Sequence, residues 1–199
     1  DADRLKAGLQ TYTPRTLKSE LAARKRLPLE ECVRVGLALT TALDHLHQRG
    51  LVHRDIKPSN VIFVDGVAKL ADIGLVARMD ATMSVVGTPG YVPPEGPGKP
   101  TGDIYSLGKL LYELSVGRDS GDFPELPTAW ESFADQKGQL EFDAVVRKAC
   151  AHDSRERYPS ARAMHEDLLL LQEGKSVRRK QIWQRRRVQI GQLAVVGVA

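Results

Sequence analysis

His53-Arg54-Asp55-Ile56-Lys57-Pro58-Ser59-Asn60 carries six polar side chains in eight residues. Pro58 forbids a continuing helix, and a solvated surface turn has little use for so specific a set. The flanks place it. Upstream, Leu29, Cys32, Val35, Leu39, Leu43 and Leu46 recur every three or four residues, which predicts an amphipathic helix over 29–49. Pro28 opens that helix, Glu30 and Glu31 suit its first turn, and Gly50 stops it. Downstream, two short apolar runs between Val61 and Leu70 flank Asp65-Gly66, a dipeptide that favours a tight hairpin. The polar octet therefore hangs between a long helix and a small β-hairpin.

Further out, Leu17, Leu21 and Ala22 predict a short helix over 14–26, and helical patterns return at 103–116, 141–149 and 160–171. The Pro- and Gly-dense stretch up to Gly102 reads as a long loop, and long loops in compact domains tend to be working elements. His45 and His47 are two apart, so on a helix they point to different faces and cannot share a metal; both read as surface residues. Cys32 and Cys150 lie far apart without metal-binding spacing, which excludes a disulfide framework or a cysteine zinc site and fits a reducing compartment.

With 199 residues and 42% hydrophobic content, the chain is long and apolar enough for one folded domain. Lys and Arg number 29 against 25 Asp and Glu, but seven of the positives follow Glu173, where no acid occurs. The preceding body thus carries 22 positives against 25 negatives and gives no support to a basic nucleic-acid-binding body, so no nucleic-acid partner is expected.

The octet resembles the H-R-D-x-K-P-x-N catalytic loop of the eukaryotic-like Ser/Thr protein kinase family. Asp72-Ile73-Gly74 is similar to the family's D-F-G, and Gly87-Thr88-Pro89-Gly90-Tyr91-Val92-Pro93-Pro94-Glu95 to its G-T-x-x-Y-x-A-P-E. Asp103-Ile104-Tyr105-Ser106-Leu107-Gly108 looks like its D-x-W-S-L-G helix, and Arg157 resembles its late structural arginine. Order and spacing agree across residues 14–172. The wording around 117–127 and the Pro-Pro-Glu-Gly-Pro-Gly loop look like membrane-anchored bacterial members.

The resemblance implies an α+β fold: a mainly helical C-terminal kinase lobe with a small β-hairpin. It implies ATP-dependent phosphorylation of Ser or Thr on a protein substrate, with Mg²⁺, or alternatively Mn²⁺, as metal. Asp55 would accept the substrate hydroxyl's proton, Lys57 would neutralise phosphate charge, and Asn60 with Asp72 would hold the metal. Lys57, Asn60, Ile62 and Asp72 form the implied nucleotide site. Lys57 argues for Ser/Thr substrates. Arg54 implies a cationic pocket for a phosphorylated loop residue, with Thr82, Ser84 and Thr88 as activation-loop candidates. Thr88 in such proteins usually bonds the catalytic Asp and Lys, which favours Thr82 or Ser84 as the modified residue. His53, Arg54, Glu95, Asp103 and Arg157 are expected to support the site from behind, Glu95 pairing with Arg157 and Asp103 accepting backbone N–H bonds from the catalytic loop.

Several features depart from the family. No G-x-G-x-x-G loop, V-A-I-K lysine or partner glutamate precedes residue 14, so residues 1–13 read as a hinge remnant and the N-terminal lobe as absent from this chain, leaving a fragment inactive by itself. Ile73 replaces a phenylalanine and Pro93 an alanine. Residues 173–187 read as a basic juxtamembrane segment and 188–199 as the start of a truncated membrane helix, since a span needs about 20 apolar residues. The kinase body is then expected in the cytoplasm, held at the inner membrane, with pairing of two copies for autophosphorylation left open. The competing readings are a catalytically silent pseudokinase scaffold and a membrane-surface interaction module.

Overall fold

The computed structural model describes residues 15–72, 77–78, 87–126 and 135–184. Helix α1 (Leu17–Arg24) starts at a reciprocal cap in which Thr16 and Ser19 exchange side-chain and backbone bonds. Helix α2 (Leu29–His47) follows, then β1 (Leu51–Val52), a 3₁₀ turn at Pro58–Asn60, and the hairpin β2 (Val61–Val64) and β3 (Val67–Leu70). Strand β4 (Ala77–Arg78) pairs back antiparallel to β1, in register Leu51 with Arg78. Helices α3 (Pro100–Val116), α4 (Gln136–Ala149) and α5 (Ala161–Gln172) complete the mainly helical, α+β body, and residues 177–184 form a further helix, α6. The hairpin turn is the expected one: Asp65 and Gly66 both take positive φ, 51° and 76°, as a type I′ turn requires.

Helix α3 is the centre. Ile104, Leu107, Leu110, Leu111 and Leu114 are fully buried, and so are their neighbours Leu39 and Leu43 on α2, Val145 on α4 and Met164 and Leu168 on α5. Burial on nearly every side is what a helix that is apolar around most of its circumference requires. At Gly108 a Cβ would lie 2.6 Å from Cys150 Sγ and 2.8 Å from Ala149 Cβ, so only glycine lets α3 and α4 approach this closely. Burial pushes both the Cys32 and Cys150 thiols up to about 12. These are inert core groups.

Three boundaries differ from expectation. α3 begins at Pro100, inside the stretch read as loop, because proline at the first helical position loses only an N–H that has no helical acceptor. α4 begins at Gln136 rather than 141, since Asp135 caps it by accepting from Gly138 N at 2.8 Å. The packed body also runs past Gln172. Val177 is fully buried, Lys180 Nζ reaches the buried Asp167 Oδ1 at 2.6 Å, and Ser176 Oγ and Arg178 N donate to Glu141. Residues 176–181 of the basic segment are therefore docked on α4 and α5. Residues 1–13 and 188–199 lie outside the described residues, and no helix among those described is long and apolar enough to cross a membrane.

Candidate active site

The polar octet leaves β1 and ends in the 3₁₀ turn that feeds β2. Two of its backbone amides are fixed by one side chain: Asp103, in the first turn of α3, accepts from His53 N at 2.8 Å and from Arg54 N at 2.9 Å. Arg54 has φ of 70°, a left-handed conformation that costs a non-glycine residue roughly 1–2 kcal/mol. The Asp103 carboxylate, only 3% exposed, makes that conformation tenable by binding the two successive amides that lead into the bend with charge-assisted hydrogen bonds.

His47 completes this support. Its Nε2 lies 2.9 Å from Asp103 Oδ2, and its side chain is 9% exposed. The surface reading of His47 is thus corrected; His45 is exposed as expected. His47 follows Leu39 and Leu43 at intervals of four, so the helical periodicity itself placed it on the buried stripe. His53 is fully buried, and neither of its ring nitrogens has a hydrogen-bond partner among the described residues.

The bend presents Asp55. Its Oδ1 accepts from Thr88 Oγ1 at 2.7 Å; its Oδ2 lies 2.8 Å from Lys57 Nζ and accepts from Asn60 Nδ2 at 2.9 Å. Lys57 Nζ also donates to Thr88 Oγ1 at 2.8 Å, closing a ring of Asp55, Lys57 and Thr88. Burial works to raise the Asp55 pKa, but the hydrogen bonds from Lys57 and Thr88 outweigh it and hold the carboxyl below its ordinary range. Asp55 is therefore a charged acceptor at neutral pH.

Asn60 is oriented by the same contacts. Its Nδ2 is committed to the Asp55 carbonyl and carboxylate, both at 2.9 Å, which leaves Oδ1 as the free end, touched by Ser59 Oγ at 3.3 Å. The hairpin brings Asp72 alongside, since Val61 pairs with Leu70 and Ala71 N donates to the Asn60 carbonyl at 2.8 Å. Asp72 is exposed and left-handed, with φ of 56°. An amide oxygen and a carboxylate on adjacent segments make a hard-oxygen donor set suited to Mg²⁺, which keeps water and substrate oxygens in its remaining positions. Ile62 sits half-buried on β2, bridged to Thr16.

The loop behind Thr88 is pinned at several points. Arg157 ties it to the end of α4: Nη1 and Nη2 hold the two Glu95 oxygens at 2.6 and 2.8 Å, and Nε binds the Ala151 carbonyl at 2.7 Å. Ser106 Oγ donates to the Tyr91 carbonyl at 2.8 Å, and the Tyr91 hydroxyl donates to Glu113. Thr82 and Ser84 lie outside the described residues, as do Ile73 and Gly74.

A family model described as the protein kinase domain matches residues 8–169. The chain is 32% identical to the probable serine/threonine-protein kinase PknB of Bifidobacterium longum, over 87% of this chain and 29% of that protein. It is 34% identical to the serine/threonine-protein kinase PknL of Mycobacterium tuberculosis, over 77% of this chain and 43% of that protein. Similarity to the serine/threonine-protein kinase PknG of Mycobacterium leprae is 34% over 73% of this chain and 19% of that protein. The chain thus spans less than half the length of these relatives.

Proposed function

The chain belongs to the protein kinase domain family, among the eukaryotic-like Ser/Thr kinases of bacteria, and we propose from this that the protein carrying it transfers the γ-phosphoryl group of ATP to serine or threonine hydroxyls of a protein substrate. The observation that carries the reading is the Asp55 carboxylate, charged and held at both oxygens by Thr88, Lys57 and Asn60. Phosphoryl transfer needs positioning and charge stabilisation more than a protein nucleophile. Asp55 orients the incoming hydroxyl and takes its proton. Lys57 supplies positive charge beside the developing negative charge. Asn60 Oδ1 and the Asp72 carboxylate would hold Mg²⁺, which when bound with ATP neutralises phosphate charge. Asp103, seconded by His47, keeps the bend that aims Asp55, and Arg157 with Glu95 anchors the loop that delivers Thr88.

Thr82 and Ser84 are the residues we assign to activating modification, by a second copy of the chain if pairing occurs. Anchoring at the inner membrane by a helix that starts in residues 188–199, with the kinase body on the cytoplasmic side, belongs to the same proposal. Its support is the basic run ahead of that apolar stretch.

Phosphoamino-acid analysis tests the reading. The full-length protein carrying this chain, given Mg²⁺ and ATP, is expected to place phosphate on serine and threonine of a protein substrate. Label found on tyrosine alone, or no transfer with either Mg²⁺ or Mn²⁺, contradicts it.

A further inference from the structure

A cleft of about 540 Å³ opens beside the catalytic residues, bounded by Lys57, Pro58, Ser59 and Thr88 on one side and by α1 and the end of α3 on the other. Its floor includes Leu21 and Tyr91. Four cations line it, Lys18, Lys25, Lys57 and Arg118, against two carboxylates, Glu113 and Asp119.

The pairing within this lining is uneven. Glu113 accepts the Tyr91 hydroxyl, and burial raises its pKa. Asp119 Oδ1 accepts from Gly121 N at 2.7 Å. Lys57 is bound to Asp55, and Arg118 reaches Asp122 at 3.1 Å and Glu125 at 3.2 Å. Lys18, in the first turn of α1, and Lys25, the residue that follows its last turn, have no side-chain ion pair or hydrogen bond among the described residues, and both are exposed. The cleft therefore presents two uncommitted ammonium groups, while each of its carboxylates already accepts a hydrogen bond from the protein itself.

We infer that this cleft selects protein substrates whose acceptor serine or threonine is flanked by acidic residues, Lys18 and Lys25 being the groups that receive them. The inference rests on the kinase reading, which makes the space beside Asp55 the seat of the substrate chain. Each contact is an exposed ion pair, individually weak, so the preference comes from two acting together and from steering of an acidic segment toward the cleft.

Fluorescence anisotropy of two labelled peptides tests it. Both carry one central serine; aspartate and glutamate flank it in the first, lysine in the second. With the full-length protein at low salt, the acidic peptide is expected to bind about fivefold more tightly, with the ratio shrinking at high salt as screening sets in. Replacement of both lysines by glutamine, K18Q/K25Q, brings the ratio to about one, whereas K18R/K25R keeps it. Equal binding by the parent, preference for the basic peptide, or an undiminished ratio in K18Q/K25Q overturns the inference. Transfer of phosphate to the same peptides is read separately. Transfer with no acidic preference removes this inference alone, whereas acidic preference without transfer removes the kinase reading and with it the substrate role given to the cleft, leaving only its charge selection.

Discussion

Replacing Asp55 by asparagine is expected to lower phosphate transfer about a thousandfold while leaving the fold nearly as stable as before. The asparagine oxygen can occupy the side where Lys57 Nζ and Asn60 Nδ2 donate, and its new amide can donate to Thr88 Oγ1. Every neighbour keeps a partner, so stability should change by about 1 kcal/mol or less, and circular dichroism and the melting temperature should change little. On the proposed mechanism the lost charge removes the proton acceptor. Transfer at more than about a tenth of the parent rate would show that some other group takes the proton. The pH dependence follows the same contacts. Because the folded pKa of Asp55 lies below its unfolded value of about 3.9, its charge and the stability tied to it are present at higher pH. They are lost only as pH falls through that depressed value. Asp55 should therefore contribute no acid limb to the rate between about pH 5 and 8.

The second large effect is structural. Arg157→Ala is expected to destabilise the protein by about 3–5 kcal/mol, the usual cost of stranding a buried charge. The Arg157 side chain is fully buried and Glu95 is 29% exposed. Besides the fork onto Glu95, Arg157 donates to the carbonyls of Ala151, Thr101 and His152. Alanine leaves Glu95 and three carbonyls without this donor. For a domain of this size the melting temperature should drop by about 10 °C. Arg157→Lys keeps the charge but not the planar fork, so it should recover only part of the loss. A melting temperature unchanged in the alanine variant would mean that the pair does not hold the loop at Glu95. Transfer by this variant should fall as well, because the same loop delivers Thr88 to Asp55.

How much of this was legible depends on how far apart the partners lie in the chain. The octet 53–60 carries its chemistry contiguously, and the hairpin that aligns Asn60 with Ala71 is announced by Asp65-Gly66, so the neighbourhood of Asp55, Asn60 and Asp72 could be read from the sequence. Asp103, Glu95 and Arg157 became legible only through the resemblance, since nothing local says what a lone acid or arginine 40 to 100 residues away will touch. His47 carries its signal in the sequence, since it stands four residues beyond Leu43 on the buried stripe, whereas its spacing from His45 speaks only against a shared metal. The pairing of β1 with β4 joins two-residue strands that have no periodicity to detect. The docking of 176–181 is hidden in the sequence behind the segment's high positive charge. Val177, Lys180 and Gln181 share one helical face, and that face meets the body.

The central claim is that Asp55, Asn60 and Asp72 gather around one metal-bound phosphate. Paramagnetic broadening by Mn²⁺ in the presence of ATP, read in the NMR spectrum of the full-length protein, tests it most directly. The signals of Asn60, including its side-chain amide, and of Asp72 should broaden first, with Asp55 close behind, and Asp72→Ala should abolish the effect at the same metal concentration. Broadening centred elsewhere, or unchanged in Asp72→Ala, would contradict the account.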